Sequence, residues 1–166
     1  MRVIKISARK IIQTPVGQMA ISCTEDALAK IDFLSEEHHL TNFSNSKKAE
    51  AIADKTATQL LKYFAGEETA FDVPVTFQGT EFQESVWRQI AAIPFGSTLS
   101  YGDIAKAIGK PKASRAVGGA VGANPIPIII GCHRVMGATG TLTGYSGGEG
   151  IETKIQLLAL EGIAHQ

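Results

Sequence analysis

Cysteine is scarce. Only Cys23 and Cys132 occur in 166 residues, and no CxxC pair sets two sulfurs side by side. A disulfide-built scaffold is therefore not expected, and a reducing compartment fits. Long apolar runs are missing too: none approaches the ~20 residues needed to span a bilayer. The start, Met1-Arg2-Val3-Ile4-Lys5-Ile6, lacks a signal-peptide layout. These absences point to a soluble chain with no membrane partner, cytoplasmic, or nuclear if the source is eukaryotic. Net charge is absent as well, with 16 Lys plus Arg against 16 Asp plus Glu. That balance argues against a protein held on nucleic acid mainly by bulk charge, although it leaves room for a local basic patch. No GxGxxG or P-loop context surrounds the glycine-rich stretch at 143–148, so it is not read as a phosphate cradle. No internal repeat or low-complexity tract is present.

What the chain does have is apolar material. Hydrophobic residues make up 44%, enough for a real core in one ordinary domain or two small ones. Residues 1–34 read as strands: one over 1–7, a turn at Thr14-Pro15-Val16-Gly17, a second strand over 19–24 and a third over 27–34. Residues 35–46, with His38, His39, Asn42 and Asn45, read as loop. Lys47–Phe64 has helical spacing, with Ala49, Ile52, Ala53, Thr56, Leu60, Tyr63 and Phe64 on or near one face, and Gly66 stops it. Residues 71–77 read as an extended connector. A boundary falls near 75–80, giving domains 1–77 and 78–166.

The second domain reads as mostly helical. Thr80-Glu81-Phe82-Gln83 matches a capping box that opens a helix to about residue 93, burying Phe82, Val86 and Ile90. Ser100-Tyr101-Gly102-Asp103 opens another, to about 108, and Gly109-Lys110-Pro111 is the turn to a third over 113–122. Two short helices around a tight glycine-containing turn form a helix-turn-helix pattern, which many helix pairs that bind no DNA share. The third helix contains Gly118 and Gly119 and ends near Gly122. Each interior glycine costs roughly 1 kcal/mol against alanine. Two readings offset that cost: tight helix–helix packing, or a smooth face pressed into a nucleic-acid groove with Arg115 as its long reach. A final helix over about 151–161 should bury Ile155, Leu158 and Leu157, with Glu161 at its C-terminal end, where the helix dipole disfavours a carboxylate.

Residues 128–135, Ile-Ile-Ile-Gly-Cys-His-Arg-Val, carry the chemistry. An apolar run shaped like a buried strand delivers Cys132 with His133 directly after it. An imidazole beside a thiol can lower its pKa, and the thiolate is the reactive form. Neighbours on a strand point to opposite faces, however, and a buried free cysteine is also an ordinary core residue.

The assembled motifs resemble the O6-alkylguanine-DNA alkyltransferases over nearly the whole chain. The N-terminal part matches through Thr14-Pro15-Val16-Gly17 and the stretch Gln59 to Gly66. The second half matches closely: Gly79-Thr80-Glu81-Phe82-Gln83 with Val86-Trp87, Ile93-Pro94-Phe95-Gly96 and Ser100-Tyr101. Ser114-Arg115-Ala116-Val117-Gly118-Gly119-Ala120 and Asn124-Pro125-Ile126-Pro127 follow. Cys132-His133-Arg134-Val135, Thr143-Gly144-Tyr145-Ser146-Gly147-Gly148 and Leu157-Leu158 before Glu161-Gly162 complete the series.

The resemblance implies an α+β fold. A small, mainly antiparallel ribonuclease-H-like sheet with its helix would form the N-terminal domain, and a helix-turn-helix or winged-helix-like domain would follow. It implies direct reversal of DNA damage: Cys132 takes the alkyl group from O6 of guanine, and from O4 of thymine, and keeps it, so each molecule reacts once. His133 would act as base through a water, oriented by Glu161. Asn124 would hold the turn before the cysteine. Tyr101 would press on the target phosphate, help rotate the nucleotide out and aid protonation of the leaving guanine. Arg115 would fill the vacated space, with Ala116, Gly118, Gly119 and Gly122 against the minor groove. Val121, Pro127, Val135, Tyr145 and Ser146 would line the base pocket, because a base inside the duplex cannot reach a buried thiolate. The implied partner is double-stranded DNA containing O6-alkylguanine, met by a monomer with no cofactor. Arg88, Arg115, Arg134, Lys110 and Lys112 would supply local cations.

Two departures from the family pattern stand out. Gly131 occupies the place where proline usually precedes the cysteine, which loosens the backbone there. Some relatives hold a zinc in the N-terminal part, but only Cys23, His38 and His39 are candidates here, short of a four-ligand set, so no metal is expected. Three competing readings make different predictions. An alkyltransferase-like lesion-binding protein would carry another residue in place of Cys132. A cysteine hydrolase would turn over. A helix-turn-helix regulator would depend on sequence rather than on damage.

Overall fold

The computed structural model describes residues 4–35, 40–67, 70–145 and 147–165. The chain divides into two compact units, Met1–Gln78 and Gly79–Gln166.

In the first unit the two-residue turn Pro15-Val16 sets the register. It joins β1 (Ala8–Thr14) to β2 (Gly17–Cys23), with Thr14 opposite Gly17 and Ala8 opposite Cys23. Gly17 takes φ 105°, a left-handed value that a side chain would strain. The first strand thus abuts the turn at 8–14 instead of lying at 1–7. A tight hairpin extends its pairing outward from the turn, which the apolar character of the N-terminus disguised. Residues 1–3 lie outside the described residues.

β3 (Leu28–Phe33) pairs antiparallel with β2, and β4 (Phe43–Ser44), within the stretch read as loop, pairs with β1. The sheet order is β3-β2-β1-β4. Residues 74–76 run beside β3: Leu28 N–H donates to the Pro74 carbonyl and Thr76 N–H to the Leu28 carbonyl, each at 2.8 Å.

Helix α1 (Lys47–Phe64) starts at Ser46, whose hydroxyl accepts from the Ala49 amide. It packs on β1 and β2. Its residues Ala49, Ala53, Thr56, Ala57, Leu60 and Tyr63 are buried, as are Met19, Ile21, Leu28 and Ile31 of the sheet. Small residues at the first turns bring the backbone close, while Leu60 and Tyr63 each contribute roughly 1.5–3 kcal/mol by burial.

The second unit is built on α2 (Glu81–Ala91), α3 (Tyr101–Ala107), α4 (Ser114–Gly122) and α5 (Ile151–Leu160), with a two-stranded parallel pair of β5 (Leu99–Ser100) and β6 (Val135–Met136). Both α2 and α3 open with reciprocal capping boxes, Thr80 with Gln83 and Ser100 with Asp103. On α2 the buried residues are Val86, Trp87 and Ile90, while Phe82 is half-buried under the Lys110 ammonium, 5.3 Å from its ring centre. Trp87 Nε1 donates to the Ala120 carbonyl at 2.8 Å and so ties α2 to α4. A Cβ at position 79 would lie 2.6 Å from the Trp87 ring, which accounts for Gly79 at the start of this unit.

No helix among the described residues is long and apolar enough to cross a membrane.

Candidate active site

The apolar run before Cys132 is not a strand. Pro125 and Pro127 lack backbone donors and cannot propagate a ladder. The chain instead turns tightly, with Ile130 N–H donating to the Ile126 carbonyl at 2.9 Å. Asn124 clamps both ends of this turn. Its amide nitrogen donates to the Ile130 carbonyl at 2.7 Å, and its Oδ1 accepts from the Ile126 amide at 2.9 Å. Ile128, fully buried, is held at φ 75°, a left-handed conformation that costs a β-branched residue on the order of 1–3 kcal/mol. Burial of Ile126, Ile128 and Ile130 offsets that strain and leaves the turn with one packed arrangement.

Cys132 then opens a 3₁₀ turn, Cys132–Arg134, rather than ending a strand. Cys132 is 5% exposed. Burial pushes its pKa up, while hydrogen bonds with the Asn124 and Tyr145 side chains and the nearby Lys154 ammonium pull it down; burial wins. The resting group is therefore a neutral thiol, and its sequence neighbour His133 is not what tempers it. His133 Nε2 meets Glu161 Oε2 in a buried pair. Burial lowers the imidazole pKa against the opposing pull of Glu161, so the ring is neutral. An ionised carboxylate only accepts hydrogen bonds, so Nε2 carries the proton and Nδ1 is the basic atom.

Glu161 is the C-cap of α5 and is itself buried. Burial would raise its pKa, but hydrogen bonds from His133 and Arg134 outweigh that and hold it at about 2. Arg134 Nε donates to Oε1 at 2.8 Å and Nη2 to Oε2 at 3.1 Å, and the Gly96 amide donates to Oε1 at 3.0 Å. The carboxylate is thus ionised where the α5 dipole alone disfavours it.

Arg134 is 6% exposed, and its Nη1 also donates to the Ile93 carbonyl. It is a buried partner of Glu161 and not a surface cation for a phosphate, because its whole guanidinium is spent inside the unit. Arg88, Lys110, Lys112 and Arg115 are exposed.

The other expected residues fall into two groups. Asn124, Pro127, Val135 and Tyr145 gather at the cysteine turn, with Val121 at the last turn of α4, where its carbonyl accepts from the Asn124 amide. Ser146 lies outside the described residues. Arg115, Ala116, Gly119 and Gly122 lie on the exposed face of α4. A Cβ added at Gly119 or Gly122 would meet nothing within 4 Å, so tight packing does not explain these two glycines. Gly118 faces the Tyr101 ring. Tyr101 begins α3, and its hydroxyl is 2.7 Å from Thr143 Oγ1.

Cys23 is fully buried, and burial pushes its thiol to about 12; His38 and His39 lie outside the described residues.

A model described as the ribonuclease-like domain of 6-O-methylguanine DNA methyltransferase matches residues 8–77, and one described as its DNA-binding domain matches 81–163. The chain belongs to the 6-O-methylguanine DNA methyltransferase family. The methylated-DNA–protein-cysteine methyltransferase of Methanosarcina acetivorans is 45% identical over 152 residues, covering 92% of this chain and 96% of the relative. The constitutive methylated-DNA–protein-cysteine methyltransferase of Bacillus subtilis is 40% identical over 158 residues, covering 93% and 94%. The crystal structure of Mycobacterium tuberculosis OGT in complex with DNA superposes with a TM-score of 0.80 at 44% identity, covering 92% of this chain and 91% of that one. The fold is accordingly α+β, and the activity is DNA repair by transfer of an alkyl group to a cysteine of the methyltransferase itself.

Reading the sequence missed one residue of this methyltransferase site. Lys154 is 1% exposed on the inner face of α5, together with Thr153, Leu157 and Leu158, while Ile155, expected inside, is 37% exposed. Its ammonium donates to the Val135 carbonyl at 2.8 Å and to Thr143 Oγ1 at 3.0 Å. Burial lowers its pKa to about 8 against the opposing pull of Cys132. The spacing Lys154, Leu157, Leu158 was the available signal: a lysine at i on the face of two leucines at i+3 and i+4.

Proposed function

We propose that Cys132 is the single-use acceptor of this methyltransferase, removing the alkyl group from O6 of a guanine rotated out of duplex DNA. The thiol proton passes through a water to His133 Nδ1, the basic nitrogen while Glu161 holds Nε2–H. The sulfur attacks the alkyl carbon, the carbon–O6 bond breaks, and its electron pair stays with the guanine. Tyr101 gives that guanine a proton and regains one from solvent, to which His133 releases the proton taken from the thiol. The products are an S-alkyl cysteine and unmodified guanine. A thioether is a poor leaving group, so nothing regenerates the thiol. The buried Cys132 on the Asn124-clamped turn, followed directly by His133 whose Nε2 is held by Glu161, carries this reading. No step requires a cofactor.

Val121, Pro127, Val135 and Tyr145 line the pocket for the flipped base. Arg115 enters the stack, and the smooth face of Ala116, Gly119 and Gly122 lies along the minor groove, with Gly118 backing Tyr101. Flipping brings the target atom to the buried sulfur at a cost of a few kcal/mol of unstacking. The protein acts as a monomer on double-stranded DNA, in the cytoplasm, or the nucleus of a eukaryotic source, where reducing conditions keep Cys132 a thiol.

Incubation with an O6-methylguanine duplex followed by peptide mass analysis tests this. One added methyl on the Cys132 peptide, never more than one repaired base per molecule, and loss of both in Cys132→Ala are the expected results. Repair of many bases per molecule, or an unmodified Cys132 peptide after repair, overturns it.

A further inference from the structure

A chain of hydrogen bonds leads from the inside of α5 to the phenol assigned to protonate the leaving base. Lys154 Nζ donates to Thr143 Oγ1 at 3.0 Å, and Thr143 Oγ1 lies 2.7 Å from Tyr101 Oη. An ammonium has only donors, so the direction of the first link is fixed. The second link could run either way, because each hydroxyl can donate or accept.

Lys154 settles that choice. A hydroxyl that accepts from a buried cation is polarised: its own hydrogen becomes a stronger donor and its oxygen a weaker acceptor. The ammonium is also anchored by the Val135 carbonyl at 2.8 Å, one residue beyond the Cys132–Arg134 turn, so it is not free to swing away. We infer that Lys154 and Thr143 are positioning residues that direct the Tyr101 hydroxyl: Thr143 donates to the phenol oxygen, and the phenol's own proton is turned toward the leaving guanine.

The consequence is a division of labour. Asn124, His133 and Glu161 act on the sulfur and Thr143 on the acid that protonates the leaving base, while the Lys154 ammonium serves both, near Cys132 and hydrogen-bonded to Thr143. Without the chain, the Tyr101 hydroxyl can donate to Thr143 as readily as to substrate. This inference rests on the role given above to Tyr101, and the test separates the two.

The test compares single-turnover rates on an O6-methylguanine duplex for the whole protein and for Thr143→Val, Thr143→Ser, Tyr101→Phe and Tyr101→Phe/Thr143→Val. Thr143 is only half-buried and its valine replacement has nearly its shape, so folding is checked by thermal melting alongside. A second readout is the rate at which iodoacetamide alkylates Cys132, a reaction whose iodide leaving group needs no proton. Thr143→Val should slow repair about tenfold, Thr143→Ser should restore it to within about twofold, and the iodoacetamide rate should not follow. The double variant should be no slower than Tyr101→Phe. Repair by Thr143→Val at the unmodified rate, losses that multiply in the double variant, or a parallel fall in the iodoacetamide rate would each overturn the inference. A Tyr101→Phe variant that repairs at full rate would instead remove the acid role of Tyr101, and the inference with it.

Discussion

Arg134 holds Glu161 by two guanidinium nitrogens, one on each carboxylate oxygen, at 2.8 and 3.1 Å. The same carboxylate faces His133 Nε2, so the arginine two residues after the nucleophile fixes the group that fixes the base. Such forked pairing gives direction as well as energy. The pair also explains why Gly96 is close, since its amide fills a remaining lone pair of Oε1.

This pairing has a pH signature. Glu161 titrates at about 2 in the fold against an ordinary 4.5. The folded state therefore favours the ionised form, so the stabilisation is fully present above about 4.5 and disappears as pH falls toward 2. Its size is roughly 3 kcal/mol. Denaturant titrations at pH 6, 4 and 2.5 should show the gap between the wild-type protein and Glu161→Gln narrowing by about that amount. A gap that stays constant with pH would mean the carboxylate is not ionised in the fold. Alkyl transfer by Glu161→Gln should fall by at least about tenfold at pH 7, because an amide can present either a donor or an acceptor to His133.

Lys154 gives the opposite slope. Its pKa falls from 10.5 to about 8, so between those values the folded state binds fewer protons than the unfolded chain. Stability from this group therefore rises with pH from about 8 to 10.5, by roughly 3 kcal/mol in total. Urea midpoints at pH 7, 8.5 and 10 should shift in favour of the wild type relative to Lys154→Met as pH rises. A difference that does not move would place the lysine in water. The charged lysine thus burdens the fold at neutral pH, which fits a group retained for the site rather than for stability.

Much of this was legible in the sequence, and the misses have physical causes. Lys47–Phe64 was readable because its apolar face and Gly66 agree, and the structure adds the Ser46 cap. The two capping boxes likewise announced α2 and α3. The run at 128–130 misled because apolar content reports burial and not backbone conformation; Pro125, Pro127 and the Asn124 clamp decide the conformation, and a clamp made by a side chain has no period. The adjacency of Cys132 and His133 left their contact open; the 3₁₀ turn sends the imidazole to Glu161, 28 residues away, the partner that the resemblance implied. Arg134 was misread and Lys154 missed for one reason: charged residues are expected outside, and only their long-range partners make burial tolerable.

The bare face of α4 supports two linked predictions. Nothing lies within 4 Å of a Cβ at Gly119, so Gly119→Ala should stabilise the protein by roughly 0.5–1 kcal/mol, seen as a higher denaturant midpoint. Gly119→Leu should keep that stability but slow repair in duplex DNA, because a bulky side chain holds the helix off the groove. Arg115→Ala should likewise weaken duplex repair far more than reaction with free O6-benzylguanine, which needs no flipping. Equal losses on both substrates for either variant would place these residues outside the DNA-binding face.

Gly131 is where this chain departs from the proline usual before the nucleophile in the proteins it resembles. Its φ of −72° already suits proline, so the backbone raises no objection. The neighbour does: a Cβ at 131 would lie 3.0 Å from Arg134 Cδ and 3.1 Å from its Nη1. Arg134 is pinned by Glu161 and by the Ile93 carbonyl, so it can give way only by a few tenths of an ångström. Gly131→Ala adds the crowding without the ring, and should lower stability and slow alkyl transfer. Gly131→Pro adds the same Cβ but removes conformations from the unfolded chain, worth about 0.4–1 kcal/mol. Gly131→Pro should therefore be the more stable of the two and transfer faster than Gly131→Ala, since the ring also stiffens the approach to Cys132. Thermal melting and single-turnover rates on the same duplex measure both. If alanine and proline behave alike, crowding of Arg134 alone governs position 131, and the glycine is there to make room for the arginine rather than to loosen the cysteine.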